Sequence, residues 1–191
     1  VIEGGGRPAG AQGLHNLRNA LAAATCAVAI DVPFESIVRG LQEFDPVAGR
    51  MRSRVILGGM QLIDDTYNAN PDSVRAAIDV LASLPGSRVL VLGDMGEVGE
   101  NSDEVHAEVG AYAQERGITT LLCLGPASAH AAQAFGGDAR SFDELDELTQ
   151  HLTTLLPAHV LVKGSRSARM ERVLDALDDY LAESEGKHRA T

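Results

Sequence analysis

Acids, amides and a tyrosine cluster in the segment Asp-Asp-Thr-Tyr-Asn-Ala-Asn-Pro-Asp-Ser, residues 64–73. The segment follows an apolar run and precedes a helical pattern, so it is predicted to join a strand to a helix. At the carboxyl end of a strand in an open α/β sheet, side chains face the crevice where ligands bind. An acid such as Asp65 can hold a ribose or a metal ion there, and the amides of Asn68 and Asn70 can orient a peptide or a base.

The same segment also has a structural interpretation. Asn70 followed by Pro71 is typical of a helix N-cap with proline at the first helical position. Asp72 would then stabilise the positive end of the helix dipole. The sequence leaves open whether Asn70 contacts a ligand or only caps the helix.

Composition and charge exclude several classes of protein. The 191 residues are 45% hydrophobic, which is enough for one sizeable core plus an appendage. A net charge of −11 argues against an electrostatic nucleic-acid binder, which needs a basic face. No apolar run approaches the roughly 20 residues that span a bilayer. We therefore expect a globular protein with neither nucleic acid nor membrane as a partner.

The cysteines and the absence of a signal-peptide pattern predict a cytoplasmic location. Cys26 lies in an alanine-rich helical stretch and Cys123 in an apolar strand pattern. Free cysteine at such positions serves as a small hydrophobe. Both are therefore expected to be reduced core residues, as is usual in a cytoplasm.

The hydrophobic pattern changes near residue 48. Residues 13–44 have helical periodicity, interrupted by Pro33. Two helices alone cannot bury a core of useful size. Residues 1–47 are therefore predicted to be the helical tail of a preceding domain plus a linker near Asp45–Gly49, and residues 48–191 a separate domain.

The second domain is predicted to be an α/β fold. Residues 54–63 have the pattern of a β-hairpin with a two-residue turn at Gly58-Gly59. Strands predicted at 88–92, 120–124, 139–142 and 159–163 then alternate with helices at 71–84, 102–116, 127–135, 143–155 and 168–181. Such alternation predicts a mostly parallel open sheet with helices on both faces. The pairs Asn101/Glu104 and Ser141/Glu144 are predicted capping boxes.

Polar residues at the predicted strand ends also suggest a different class of protein. Asp64 and Asp65, Asp94 and Lys163 all follow or end apolar strands, so they are expected on one edge of the sheet. A phospho-accepting receiver domain has a similar set of an acid pair, a third acid and a lysine. A receiver, however, places another strand between the acid pair and its phospho-acceptor, whereas Asp65 and Asp94 end consecutive strands. The opening hairpin also disfavours a receiver.

Four motifs together resemble the Mur ligases. They are His15–Ala23, the segment 64–73, Val91–Gly99, and Lys163–Arg166 followed by Met170-Glu171, and they occur in the family's order. Within the family they are most similar to the type that adds D-alanyl-D-alanine to a UDP-N-acetylmuramoyl-tripeptide. The resemblance implies a Rossmann-like C-terminal domain. Folylpolyglutamate synthetases share the three-domain plan, but they fit Tyr67–Pro71 and Gly93–Glu97 less well.

The resemblance implies a reaction and a nucleotide site. Mur ligases use ATP to convert a carboxylate into an acyl phosphate, which an amine attacks to give an amide, ADP and phosphate. By resemblance, Asn19 contacts adenine, Arg50 reaches ribose or phosphate, and Asp65 accepts hydrogen bonds from the ribose. A bidentate guanidinium suits phosphate, and a carboxylate suits sugar hydroxyls.

The peptide side of the site is assigned to other residues. Asn68 and Asn70 are expected to place the peptide substrate, or else to shape the turn. Lys163 and Arg166 are expected to hold a carboxylate of the dipeptide or of the peptide stem. Lys163 has an equally good structural alternative, an ion pair with Asp94.

One family feature is missing from this sequence. No Gly-x-x-Gly-Lys-Ser/Thr run occurs, so the loop that cradles the ATP phosphates and the accompanying Mg²⁺ ligands are expected in a central domain elsewhere. The histidines show no metal-ligand spacing. The chain is therefore expected to be the C-terminal part of a longer ligase, inactive alone, and no catalytic residue is assigned.

Overall fold

The computed structural model describes residues 14–44 and 48–189. The middle of the predicted linker, residues 45–47, lies outside the described residues, as do residues 1–13 and 190–191. None of the helices in the described ranges is both long enough and apolar enough to cross a membrane.

Two helices precede the linker, as the sequence pattern predicts. They are α1, Leu14–Ala29, and α2, Phe34–Glu43, with Pro33 immediately before α2. Large apolar side chains on these helices, between them and directly after α2 face solvent: Leu17, Leu21, Val28, Ile30, Phe34, Leu41 and Phe44. Cys26 is exposed as well, so the prediction that it is a core residue is wrong. That prediction was based on the apolar side of α1, and no other part of the described residues buries this side.

Residues 48–189 form an α/β domain. The strands are β1 Arg52–Val55, β2 Gln61–Asp65, β3 Arg88–Gly93, β4 Thr120–Leu124, β5 Asp138–Phe142 and β6 His159–Lys163. The helices are α3 Pro71–Ala82, α4 Ser102–Glu115, α5 Ser128–Phe135, α6 Leu145–Thr154 and α7 Glu171–Arg189. The sheet order is β1-β2-β6-β3-β4-β5, with β1 antiparallel and every other neighbouring pair parallel. The predicted fold class is confirmed.

Apolar residues cover both faces of the sheet, because successive strand side chains point to opposite sides. On one face, α3, α4 and α5 pack over strand residues such as Ile63 and Leu90. On the other face, α6 and α7 pack over Leu62 and Val91. Every residue of β4 and β6 is buried, as expected for the inner strands of a parallel sheet.

The structure differs from the sequence prediction at two kinds of turn. The hairpin turn includes a 3₁₀ segment, Leu57–Gly59, in which Gly59 N donates to Ile56 O at 3.2 Å and Met60 N donates to Leu57 O at 3.3 Å. Gly58 and Gly59 have φ of 69° and 78°, which glycine adopts at little cost. The predicted capping boxes are also wrong. Asn101 makes no side-chain cap bond to α4.

At the second predicted box, α6 begins later than the pattern suggests. Its N-cap position is Glu144, and no side chain caps that helix. Ser141 instead lies within β5.

Candidate functional site

The predicted polar residues meet where three neighbouring parallel strands end. β2 ends at Asp65, β6 at Lys163 and β3 at Gly93, with Asp94 following. We call this the carboxyl edge. β6 lies between β2 and β3, so its last residue is adjacent to both strand ends.

Lys163 is buried at the carboxyl edge, with a side chain only 2% exposed. Its Nζ lies 2.5 Å from Asp65 Oδ2 and donates to Asn68 O at 2.9 Å. The alternative pairing with Asp94 is wrong. Lys163 is in register with Asp65 on β2, but with Leu92 on β3, two residues before Asp94. The Asp94 Oδ1 instead accepts from Ser128 N at 2.7 Å, at the start of α5.

The electrostatics of Asp65 combine burial with a paired cation. Burial raises the pKa of the Asp65 carboxyl, because desolvation disfavours the charged form. The nearby Lys163 ammonium and the hydrogen bond from Met51 N oppose that rise. A carboxylate held by a buried lysine is fixed in one orientation, which suits a group that accepts hydrogen bonds from a ligand.

Both acids at the end of β2 also hold the turn that leads into this domain. We call residues 48–51 the linker turn. Asp64 Oδ2 accepts from Gly49 N at 2.8 Å, and Asp65 Oδ1 accepts from Met51 N at 3.1 Å. Tyr67 N in turn donates to Gly49 O at 2.9 Å. A Cβ at residue 49 would lie 2.9 Å from Tyr67 N, so only glycine fits there.

Arg50 is consequently presented at the carboxyl edge. Its guanidinium carbon lies 4.2 Å from the centre of the Tyr67 ring, within the range of a cation–π contact. Arg50 is exposed and Tyr67 is 47% exposed, so the stacked pair faces solvent. This role of Tyr67 was not predicted from the sequence, where an aromatic residue two positions after paired acids was the available signal.

Backbone hydrogen bonds join the loops of the carboxyl edge. Gly96 N donates to Ala69 O at 2.8 Å, and Ser165 N donates to Asp94 O at 2.8 Å. The loop after β3 is thereby tied to the loop after β2 and to the connection after β6. The Asn68 amide also approaches Glu97 Oε1, at 3.4 Å. Asn68 therefore faces the 93–99 loop, which forms a wall of the site.

Asn70 caps α3. Its Oδ1 accepts from Ser73 N at 2.9 Å, and its own N–H donates to Ser73 Oγ at 3.1 Å. This reciprocal pair is a capping box, and Pro71 occupies the first turn. The capping interpretation of Asn70 is confirmed. A contact between Asn70 and a substrate stays a prediction.

Two predicted site residues lie farther out. Arg166 is in the connection between β6 and α7, with a side chain 70% exposed, and it pairs with Glu171 Oε1 at 3.2 Å. Asn19 lies exposed on α1, which packs against α2. The structure therefore brings Arg50, Asp65, Asn68 and Lys163 together, with Arg166 at the rim. The contact of Asn19 with adenine stays a prediction.

Within the described ranges, no group of three or more His, Cys, Asp or Glu side chains is arranged to hold a metal ion. The arrangement at the carboxyl edge is instead suited to an anionic or sugar-bearing ligand. It has an exposed guanidinium, an oriented carboxylate and an amide, supported by a buried lysine.

Comparison with known proteins shows which family the chain resembles. Residues 49–166 match the family model "Mur ligase, glutamate ligase domain". The chain is 40% identical over 171 residues to the UDP-N-acetylmuramoyl-tripeptide–D-alanyl-D-alanine ligase of Escherichia coli (strain K12). The match covers 87% of this chain and 38% of that relative, so the chain spans about two fifths of its length.

Solved structures show the same relationship. The chain matches the MurF ligase from Thermotoga maritima in complex with ADP, with TM-score 0.77 and 26% identity, covering 88% of this chain and 39% of that one. It also matches a bifunctional folylpolyglutamate synthase/dihydrofolate synthase from Yersinia pestis, complexed with AMPPNP and Mn, with TM-score 0.62 and 23% identity. That match covers 91% of this chain and 41% of the synthase, and at this identity it shows the fold alone.

Proposed function

Since the chain belongs to the Mur ligase family, we propose that it is the C-terminal part of an ATP-dependent ligase that adds D-alanyl-D-alanine to UDP-N-acetylmuramoyl-tripeptide. The product would be a precursor of peptidoglycan. Membership of this family excludes the receiver alternative. The identity of 40% to a ligase of this type favours it over a folylpolyglutamate synthetase, for which only the fold is shared.

The observation that carries the proposal is the convergence of three ligase-like motifs at the carboxyl edge. The segment 64–73, the loop 93–99 and the connection 163–166 are far apart in sequence. Hydrogen bonds from Lys163 to Asn68 O, from Gly96 to Ala69 and from Ser165 to Asp94 join them into one surface. That surface lies where open α/β sheets bind ligands.

We assign the nucleotide to the side of the carboxyl edge formed by the linker turn and β2. Arg50 would contact ribose or phosphate, Asp65 would accept hydrogen bonds from the ribose, and Asn19 would contact adenine. A carboxylate offers about four lone-pair sites, so the two protein donors on Asp65 leave acceptor capacity for a sugar hydroxyl. The related ligase solved with ADP supports a nucleotide as ligand.

We assign the peptide substrates to the side formed by the loops after β2, β3 and β6. Asn68 would orient the peptide, Arg166 would hold a carboxylate, and Asn70 would shape the turn between them. Lys163 would act mainly through Asp65 and Asn68, because these two residues accept hydrogen bonds from its ammonium group. One of the three N–H donors of the ammonium remains for a substrate carboxylate, but the Lys163 side chain is only 2% exposed.

The chemistry follows the family scheme. ATP would convert the tripeptide carboxylate into an acyl phosphate, and the dipeptide amine would displace phosphate. Mg²⁺ would neutralise the phosphate charge, with its ligands in the central domain together with the phosphate-binding loop. No residue of this chain is assigned to bond making, so the chain alone should be inactive. We propose a cytoplasmic location, because the reaction uses ATP and a UDP-linked substrate and because the cysteines of the chain are free thiols.

The helices α1 and α2 are assigned to the end of that central domain. Their exposed apolar side chains include Leu17 at 58% and Phe34 at 74%. Apolar side chains repeated along one helical pair indicate a face that another part of the protein covers. We propose that the rest of the central domain, in the same polypeptide, covers it.

The proposal is tested by assaying phosphate release with the full-length protein. We expect release that requires ATP, UDP-N-acetylmuramoyl-tripeptide and D-alanyl-D-alanine together, and none with tetrahydrofolate and glutamate. The chain of 191 residues assayed alone should release none. Turnover with the folate pair, or by the chain alone, would overturn the assignment.

A further inference from the structure

His106 is a buried histidine that the proposed reaction does not use. It lies on α4 with a side chain that is fully buried. Met95 N donates to its Nε2 at 2.9 Å, and its Nδ1 lies 2.7 Å from Ser102 O. A carbonyl oxygen only accepts, so Nδ1 must carry the proton, and Nε2 must be the unprotonated acceptor. The contacts therefore define a single neutral tautomer.

The hydrogen bond from Met95 anchors the loop after β3 at its middle. Three successive residues of this loop are fixed to different elements: Asp94 O to Ser165 N, Met95 N to His106, and Gly96 N to Ala69 O. Of these three anchors, only His106 contributes a side chain. A substitution of His106 can therefore remove the hydrogen bond to Met95 N while the two backbone anchors, at Asp94 and Gly96, remain.

The helix that carries His106 is held rigidly. Gly110, one turn further along α4, packs so closely on α5 that a Cβ there would lie 2.0 Å from Ala131 O. Beyond the anchored residues, Glu97 has a φ of 60°, a left-handed conformation that persists in a non-glycine residue when its surroundings fix it. Glu97 is also the residue that approaches the Asn68 amide.

We propose that His106 is a positioning residue for the peptide side of the ligase site. Its Nε2 fixes Met95, and so sets Gly96 against Ala69 and Glu97 against Asn68, on the wall that the peptide substrates meet. This proposal rests on the proposed function, because it names a residue that shapes the same site. It predicts that loss of the His106 acceptor weakens binding of the peptide substrates and leaves binding of ATP unaffected.

The test compares three variants of the full-length ligase. His106→Phe keeps a ring but removes the acceptor, whereas His106→Gln places an amide oxygen within reach of Met95 N. Val109→Ala is the matched control, because Val109 is buried on α4 in the same core and its side chain has no hydrogen-bond acceptor. It should lower the melting temperature without altering any KM.

For His106→Phe we expect the KM of the dipeptide or the tripeptide to rise about tenfold, the factor for one lost buried hydrogen bond. The KM of ATP should stay within about twofold, and His106→Gln should recover most of the loss. A lowered melting temperature with wild-type KM values, or an equal rise in Val109→Ala, would overturn the proposal.

A measurement on the unaltered protein remains decisive if His106→Phe does not fold. Long-range ¹H–¹⁵N NMR of the histidine rings should show the His106 Nδ1 protonated and Nε2 unprotonated at neutral pH. A proton on Nε2 would overturn the proposal. Absence of ligation by the wild-type enzyme would refute the proposed function instead, so the two failures are distinguishable.

Discussion

Asp65 and Lys163 lie side by side on β2 and β6, 98 residues apart in sequence, and form an ion pair in which the lysine is buried. Lys163 also donates a hydrogen bond to Asn68 O, and the Asp65 carboxylate also accepts one from Met51 N. Lys163 therefore links the last strand of the sheet to the linker turn and to the loop after β2. This pair therefore organises the carboxyl edge through contacts within the protein itself.

Lys163→Met should lower the free energy of unfolding by about 3 kcal/mol or more, because it leaves the Asp65 carboxylate buried without its cation. Urea unfolding of the chain measures this loss. The double variant Lys163→Met/Asp65→Leu should lose less than the sum of the two single variants, because no unpaired charge remains. Additive losses would show that the two residues do not stabilise the fold as a pair.

Arg50→Ala should weaken ATP binding by the full-length ligase about tenfold or more, as expected for a lost hydrogen bond from a charged group. Stability should hardly change, because Arg50 is exposed. Titration calorimetry with ATP measures the affinity. Arg52→Ala, two residues further along and also exposed, is the matched control and should bind ATP normally. Equal losses in both variants would indicate a general charge effect.

Arg166→Ala should raise the KM for D-alanyl-D-alanine or for the tripeptide substrate before it alters the KM for ATP. A guanidinium can donate two parallel hydrogen bonds to a carboxylate, so its loss should weaken binding of the substrate that carries this carboxylate. Steady-state kinetics with each substrate varied in turn decide the point. Arg116→Ala removes another surface ion pair, with Asp79, and should leave every KM unchanged. A defect confined to ATP would remove Arg166 from the peptide side.

Stability should fall as the pH drops below about 6.5, partly because of His159. Burial lowers the pKa of the His159 imidazole, whose Nδ1 accepts from Gln61 N at 3.0 Å. The unfolded chain then binds the proton more readily than the folded chain, so acid favours unfolding. His159→Asn keeps an acceptor and should show a smaller loss of stability between about pH 7.5 and about pH 5.5 in urea unfolding. An unchanged pH slope would contradict this.

Cys26 and Cys123 should react very differently with a maleimide. Burial raises the pKa of the Cys123 thiol to about 12, so it should remain unlabelled until the domain unfolds. Cys26 is exposed in this chain and should be labelled at once. In the full-length ligase, slower labelling of Cys26 would support the proposed cover of α1 and α2. A Cys26→Ser variant that is labelled as fast as the wild type would refute the assignment of the label.

Much of the fold was predictable because buried strands and helices require apolar residues at regular positions in the sequence. The fully buried strands β4 and β6 and the helices between strands follow from hydrophobic periodicity. The sequence also placed Asp65 and Lys163 on the same edge of the sheet. It could not show which acid Lys163 pairs with, because that depends on β6 lying between β2 and β3 with its register fixed by long-range packing.

Other errors have similarly physical causes. An apolar helical stripe shows that Cys26 could be buried but not whether a partner is present to bury it. The importance of His106 was missed because a lone helical histidine gives no local signal. Its role depends on a loop that begins 13 residues earlier in the chain and folds back on it, from Gly93 to His106. The predicted cap at Ser141 failed because that residue pairs within β5, and at Asn101 a 3₁₀ turn, Gly99–Asn101, leads directly into α4.

The position of β6 also has a consequence for synthesis of the protein on the ribosome. β2 and β3 are made early, yet both pair with β6 and not with each other. Until residues 159–163 emerge, two apolar strands have open sides, and Asp65 has no lysine to neutralise it. The sheet therefore cannot close from the N-terminus as it is translated. We expect nascent chains that end before β6 to need chaperone protection, because unpaired strand edges promote aggregation.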